Sequence, residues 1–190
     1  MSNSTSRQRG FTLLELFSVV AVSSVLAMAG IPLIEGFQRD HAAAGLQQTF
    51  AESLAVARER AVGTGTAVYL CGSADGTSCS SDWNSGWLVY QGSQPKAPGQ
   101  TVAEADIIQH TRIEAVSADL KILDENLETV AAISFDSRGF NAASQRLMAM
   151  TCESGGALQS GAVFLERSGR VRVGKNTVAE ENPSFQCQRA

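Results

Sequence analysis

A chain of 190 residues, 44% hydrophobic and 18% charged, has the make-up of a folded protein, with room for one ordinary domain and one long appended element but not comfortably for two compact domains. Its formal charge of -4 excludes a generally basic surface, so any contact with nucleic acid has to come from a local patch. With two histidines and no H-E-x-x-H, G-x-S-x-G or phosphate-binding glycine loop, the chain reads as a non-enzyme without cofactor or metal.

The chain opens on a short basic segment, with Arg7 and Arg9 ahead of Gly10, and then turns apolar. From Leu16 to Ile34 there are 19 residues without a charge, close to the ~20 that a helix needs to cross the hydrocarbon layer. The arginines keep the N-terminus cytoplasmic and send the rest of the chain outward. A secretory signal peptide has the same order of charge and apolar core, but no Ala-x-Ala type cleavage site closes the run, and "AGIPLIEGF" leads into a further helical pattern. Glu15 is what a signal peptide does not explain. A carboxylate at membrane depth costs about 2 to 3 kcal/mol even on a lenient insertion scale and therefore needs a partner. Cleavage between Gly10 and Phe11 would create an amine about one helical turn away. On its own chain that amine is a poor sole partner, whereas on a neighbouring chain it can come alongside, which makes Glu15 an assembly residue. Pro32 removes a backbone donor and clashes with the carbonyl of Met28, so a bend or local unwinding is expected between Met28 and Gly36.

Past Glu35 the pattern becomes amphipathic. Leu46, Phe50, Leu54, Ala57 and Ala61 recur at spacings of three and four, while Arg39, Asp40, Gln47, Gln48, Glu52, Arg58 and Glu59 fall mostly elsewhere around the helix. One helix from about Phe11 to Val62, roughly 78 Å long at 1.5 Å per residue, is expected, ended by the glycines of "VGTGT". Beyond it the signals are those of strands: 66–72, 86–91, 106–116, 131–139, 145–153 and 162–174 are β-branched or aromatic runs separated by Gly, Ser, Asn and Pro clusters. The segments 73–85 and 92–99 read as polar loops, and Trp87 and Phe135 as core. The expected fold is α+β, a long N-terminal helix on a mostly antiparallel β head. Its divisions are a leader over 1–10, a membrane or filament-core helix over 11–35, a stem over 36–63 and a head over 64–190.

Four cysteines, Cys71, Cys79, Cys152 and Cys187, lack the paired C-x-x-C spacing of zinc or redox sites. In an exported chain they read as two disulfides; of three connectivities, proximity in sequence favours Cys71 with Cys79, leaving Cys152 for Cys187. Near the C-terminus, "ERSGRVRVGKN" carries Arg167, Arg170, Arg172 and Lys175 against Glu166, a net of +3 within an acidic protein. In a strand, Arg170 and Arg172 would share one face, able to bind phosphates without sequence preference, although the same pattern also describes a solvent-facing hairpin arm.

The stretch "RGFTLLEL" resembles the type III signal of type IV pilins and type II secretion pseudopilins. The resemblance implies that a prepilin peptidase cuts after Gly10 and that Phe11 becomes the N-methylated mature terminus. It also implies that Glu15 pairs with the amine of an adjacent subunit, and a proline at the place of Pro32 belongs to the same pattern. The segments 83–90, 133–139 and 168–172 are similar to the head of the minor-pilin group that includes FimT, FimU and the pseudopilin GspH. A terminal cysteine paired with an earlier strand, Cys187 with Cys152, matches the FimU type. In FimT members a G-R-x-R element binds DNA during transformation, and Gly169, Arg170, Val171 and Arg172 match it. The implied role is a minor pilin acting in assembly or initiation near the pilus tip. It would lie in the inner membrane with its head in the periplasm before joining the pilus, its partners being the peptidase and the major and minor pilins, with double-stranded DNA added under the DNA-uptake alternative. The alternatives are a DNA-uptake pilin and a pseudopilin of the type II secretion system.

Overall fold

The computed structural model describes residues 12–113, 118–143, 145–153 and 158–175, and of these 28–40, 118, 153 and 158–160 in the backbone alone. Helix α1 runs over Leu13–Thr64 and is continuous through Pro32, so the local unwinding expected between Met28 and Gly36 is not found. Eight strands follow: β1 Val68–Gly72, β2 Gly86–Gln91, β3 Ile107–Arg112, β4 Ala118–Leu123, β5 Ala132–Phe135, β6 Leu147–Glu153, β7 Leu158–Leu165 and β8 Val171–Lys175. They form two four-stranded sheets, β3-β2-β1-β5 and β4-β6-β7-β8, in which every pairing is antiparallel. Contacts divide the chain into two units, Met1–Gln38 and Arg39–Ala190.

In the second unit the apolar stripe of α1 is the organising surface. Leu46, Phe50, Leu54, Ala57 and Ala61 are all buried and share one core with residues of both sheets, among them Leu70, Trp87 and Phe135 from the first and Ile122, Leu147 and Val163 from the second. Phe50 lies at its centre, with ring centroids 5.9 Å from Trp83 and 5.1 Å from Trp87, both edge to face, the geometry that the ring quadrupoles favour. Each sheet alternates, so its other face needs separate cover. On the first, Tyr69 stacks on Tyr90 at 5.5 Å in a cluster with Cys71, Cys79, Leu88 and Val102.

Polar bonds at three helix residues, Gln47, Ser53 and Arg58, fix the register of the helix in this core. The amide of Gln47 donates to the Thr151 hydroxyl at 2.7 Å and to the Gly161 carbonyl at 2.8 Å. The indole of Trp87 donates to Ser53 at 2.9 Å, and Arg58 Nε donates to the Gly139 carbonyl at 3.0 Å. Gln47 was expected away from the packed stripe but is buried, because the amide is satisfied from the second sheet and its burial is thereby compensated.

Strand β4 falls outside the expected strands, and the run 106–116 ends its strand at Arg112. The run 162–174 divides into β7 and β8 around a turn. The first unit is the helix alone from Leu13, with Leu13, Leu14, Leu16, Phe17, Val19, Val20, Val22, Val25 and Leu26 all exposed. Among the described residues no helix is long and apolar enough to cross a membrane; the uncharged run 16–34 continues past residue 27, the last of its side chains that the structure describes.

Phe50→Ala should lower the unfolding free energy by about 3 to 5 kcal/mol, the cost of emptying an aromatic site between rigid neighbours. Urea titration of the detergent-solubilised chain, followed by tryptophan fluorescence, measures it.

Candidate functional site

Two places in the chain carry arrangements beyond packing. The first is the start of α1. Gly10 and Phe11 lie outside the described residues. Thr12 caps the helix: its hydroxyl accepts the Glu15 amide at 3.3 Å, and its carbonyl accepts the amides of Glu15 and Leu16. The T-x-x-E spacing is that of a capping box, of which the Thr12 half is formed here through the Glu15 amide, and this signal was available in "TLLE". Downstream, Ser18, Ser23 and Ser24 donate to the carbonyls of Glu15, Val19 and Val20 at 2.7 to 2.9 Å. Their hydroxyls are therefore satisfied within the helix and demand nothing from its surroundings.

The second place is a pair of like turns. In "DSRGF" and "ERSGR" an acid opens the turn and a glycine sits three residues later. Asp136 N–H donates to the Phe140 carbonyl and Gly139 N–H to the Asp136 carbonyl; Glu166 N–H donates to Arg170 and Gly169 N–H to Glu166, all at 2.8 to 2.9 Å. Gly139 and Gly169 have φ of +80° and +75°, a conformation that side chains disfavour. The turns also touch each other: Asn141 N–H donates to the Arg167 carbonyl at 3.1 Å, and a Cβ on Gly169 would strike the Gly139 carbonyl, the one Arg58 binds.

This geometry separates the four expected cations. β8 begins at Val171, and the turn takes Arg170 out of the strand alternation. Arg170 lines a cleft with Arg58 and Arg138, whereas Arg172 and Arg167 line a groove floored by Leu127, Met148 and Phe164. The expectation that Arg170 and Arg172 share one face is therefore overturned by the turn that precedes the strand. In the groove Arg167 holds both Glu125 oxygens at 2.9 and 3.0 Å. Arg172 and Arg146 grip Glu166 at 2.8 and 3.0 Å, and Arg172 lies over the Phe164 ring. Lys175, at the end of β8, is not without a partner either. The amide of Arg146 and then the guanidinium of Arg167 hold the Glu125 carboxyl below its usual range. For Glu166 the bond from Arg172 is the main cause of the same shift.

Elsewhere, Cys71 and Cys79 form a disulfide that ties the loop the sequence placed at 73–85 to β1. Asp75 accepts the amides of Thr77 and Ser78 at 2.8 Å and the Ser78 hydroxyl at 2.7 Å, which depresses its pKa strongly. Cys152 is disulfide-bonded as well, while Cys187 lies outside the described residues. Among the described residues no group of His, Cys, Asp and Glu is placed to hold a metal ion.

A helix with an apolar, capped N-terminal half, and a second half packed on two antiparallel sheets, defines a pilin-like subunit. The family model described as type II transport protein GspH matches residues 46–173, and the chain belongs to this family, among the minor pilins and pseudopilins of the FimT, FimU and GspH group. Two crystal structures of the type IV minor pilin FimU from Pseudomonas aeruginosa (strain PAO1) are similar to it. The one in space group P21 is 19% identical with a TM-score of 0.48, covering 75% of this chain and 92% of that one. The one in P65 is 17% identical with a TM-score of 0.45, covering 67% and 89%. Among curated proteins, none matches the chain.

Because the Glu125 and Glu166 carboxyls are held below their usual 4.5, they stabilise the fold above that pH and lose this contribution as pH falls through their lowered values. Acid titration of tryptophan fluorescence should therefore show stability declining below about pH 4.5, and Glu166→Gln should flatten the slope. Gly169→Ala should destabilise the head by more than 1 kcal/mol, on the order of the cost of a left-handed non-glycine residue plus displacement of the Gly139 carbonyl; thermal unfolding reads it.

Proposed function

We propose that the chain is made as a prepilin of the inner membrane, cut after Gly10, N-methylated at Phe11 and built into a type IV pilus as a minor subunit that acts in assembly near the tip. The observation that carries this reading is the described start of α1. A capped helix exposes apolar side chains all round, satisfies its serine hydroxyls internally and holds a single acid in its first turn. Such a surface needs hydrocarbon or other helices around it. The uncharged run 16–34 has the length for a single span, and Arg7 and Arg9 orient it with the head in the periplasm. In that environment the Glu15 carboxylate is drawn to the Phe11 amine of a neighbour, because their attraction grows as the dielectric falls.

The description of the matching family as a type II transport protein favours a second reading, a pseudopilin of a protein-secretion machine. DNA uptake has less support, since two of the cations proposed for it, Arg167 and Arg172, are held by Glu125 and Glu166. The proposed pairing of Cys152 with Cys187 is consistent with a head matured in an oxidising periplasm.

Glu15→Ala should be processed normally yet be strongly depleted from sheared pili, and undiminished incorporation would overturn the assembly role. Gly10→Leu should leave the ten-residue leader attached, seen as a heavier band on immunoblots. A deletion strain decides between machines: loss of surface pili and twitching with normal exoprotein release supports the pilus, whereas exoproteins trapped in the periplasm support the pseudopilus.

A further inference from the structure

The two arginine-bearing concavities of the head carry different charge balances. In the groove floored by Leu127, Met148 and Phe164, three arginines face Asp124, Glu125 and Glu166, so the charges cancel within the protein. The cleft between α1 and the two turns, about 740 Å3 in volume, has Arg58, Arg138 and Arg170 in its lining against Glu59 in the lining and Asp136 on Arg138, so that one positive charge is left over.

The three guanidinium groups are held in different ways. Arg58 is fixed through Nε on the Gly139 carbonyl. Arg138 is clamped by Asp136 at 2.8 and 3.1 Å and lies 5.4 Å from the centre of the Phe140 ring. Arg170 is exposed, and its guanidinium donates to no group among the described residues. Beside them lie Ala55, Val62 and Val171. Val62 is 53% exposed and Phe140 is 48% exposed, large apolar surfaces left to water at the edge of a charged cleft.

We infer that this cleft is a docking site for an acidic segment of a partner protein, in which a carboxylate enters among Arg58, Arg138 and Arg170 while a neighbouring aliphatic side chain covers Val62 and Phe140. A guanidinium fork matches a carboxylate, and two of the three arginines are already ordered, so little side-chain entropy remains to be lost on binding. A peptide segment fits better than a nucleic acid strand. A phosphate chain continuing beyond the cleft would meet Glu59 and Asp136 and the acidic remainder of the head, and would leave Val62 and Phe140 uncovered. An isolated carboxylate between aliphatic residues meets both features. The site lies in the second unit of the chain and owes nothing to the processing or membrane insertion of the first, so it stands or falls separately from the assembly role of Glu15.

The test is fluorescence anisotropy on the full chain in detergent micelles, titrated against a labelled synthetic peptide of alternating glutamate and leucine, against the same peptide with glutamine for glutamate, and against a labelled DNA duplex. The glutamate peptide should bind saturably and the glutamine peptide should not. Arg170→Glu, and more mildly Arg170→Gln, should weaken that binding by about tenfold or more, as expected for loss of a charge-assisted bond. Lys96→Glu makes the same change of net charge in the loop that the sequence placed at 92–99, and should leave the affinity within about twofold, as expected for an exposed charge outside the site. Absence of glutamate-peptide binding would overturn the inference, as would equal loss in Arg170→Glu and Lys96→Glu. DNA binding that exceeds peptide binding and disappears in Arg170→Glu would also overturn it, assigning the cleft to phosphates.

Discussion

The stripe of α1 from Leu46 to Ala61 is shared by two sheets that have no strand in common, and the head exists as one body because of it. Neither sheet alone closes the core. The first contributes Trp87 and Phe135, the second Ile122, Leu147 and Val163, and Phe50 sits against the tryptophans between them. Burial of this stripe drives the helix onto the sheets, but area alone leaves a helix free to slide or rotate. Gln47, Ser53 and Arg58 remove that freedom by bonding to the second sheet, the first sheet and a turn, respectively. Each is spaced along the helix so that a shift by one residue would break all three.

Arg58 ties this packing to the exposed chemistry of the head. Its guanidinium reaches the Gly139 carbonyl, against which Gly169 is pressed, so that the turns of the two sheets meet at the same helix residue. The turns in turn distribute the arginines. Glu166 and Glu125 draw Arg172, Arg146 and Arg167 into one neutralised groove, and the turn geometry leaves Arg170 on the other side, with Arg58 and Arg138. Charge counted along the sequence therefore overstates what a polyanion would find at the groove, because its carboxylates come from residues as distant as Glu125.

The stem was legible because a helical stripe repeats every three or four residues and five positions carried it without interruption. β2 was legible from its compact aromatic and β-branched run. β4 is not among the expected strands, although "ADLKIL" alternates apolar and polar residues and buries Leu120 and Ile122; with a single β-branched residue and no aromatic, it lacks the composition that marks most of the other runs. The division into two sheets is a matter of pairing between distant segments, which single-strand patterns do not encode. For the site, the type of each residue could be read but not its partners. Arg170 and Arg172 appeared equivalent because strand alternation was extended into a turn, and Arg58 and Arg138 were invisible as members of the same cleft because folding alone brings them to Arg170. At Glu15 the charge stands out against its apolar neighbours, and the Thr12 hydroxyl's hold on the Glu15 amide lies in a spacing that this larger anomaly obscures.

The order in which the chain is made gives the Gln47 contact a further consequence. Gln47 and Gly161 are 114 residues apart, and the second sheet is completed only by β7 and β8, so the part of the α1 stripe that this sheet covers is synthesised long before its cover, whereas β1 of the first sheet follows the helix directly. Loops of that length close slowly, and topologies dominated by such contacts fold slowly. During that interval the stripe can associate with any other apolar segment at hand. A chain that ends before β7 would therefore leave the second sheet's side of the stripe, with Gln47 unsatisfied, open to proteases.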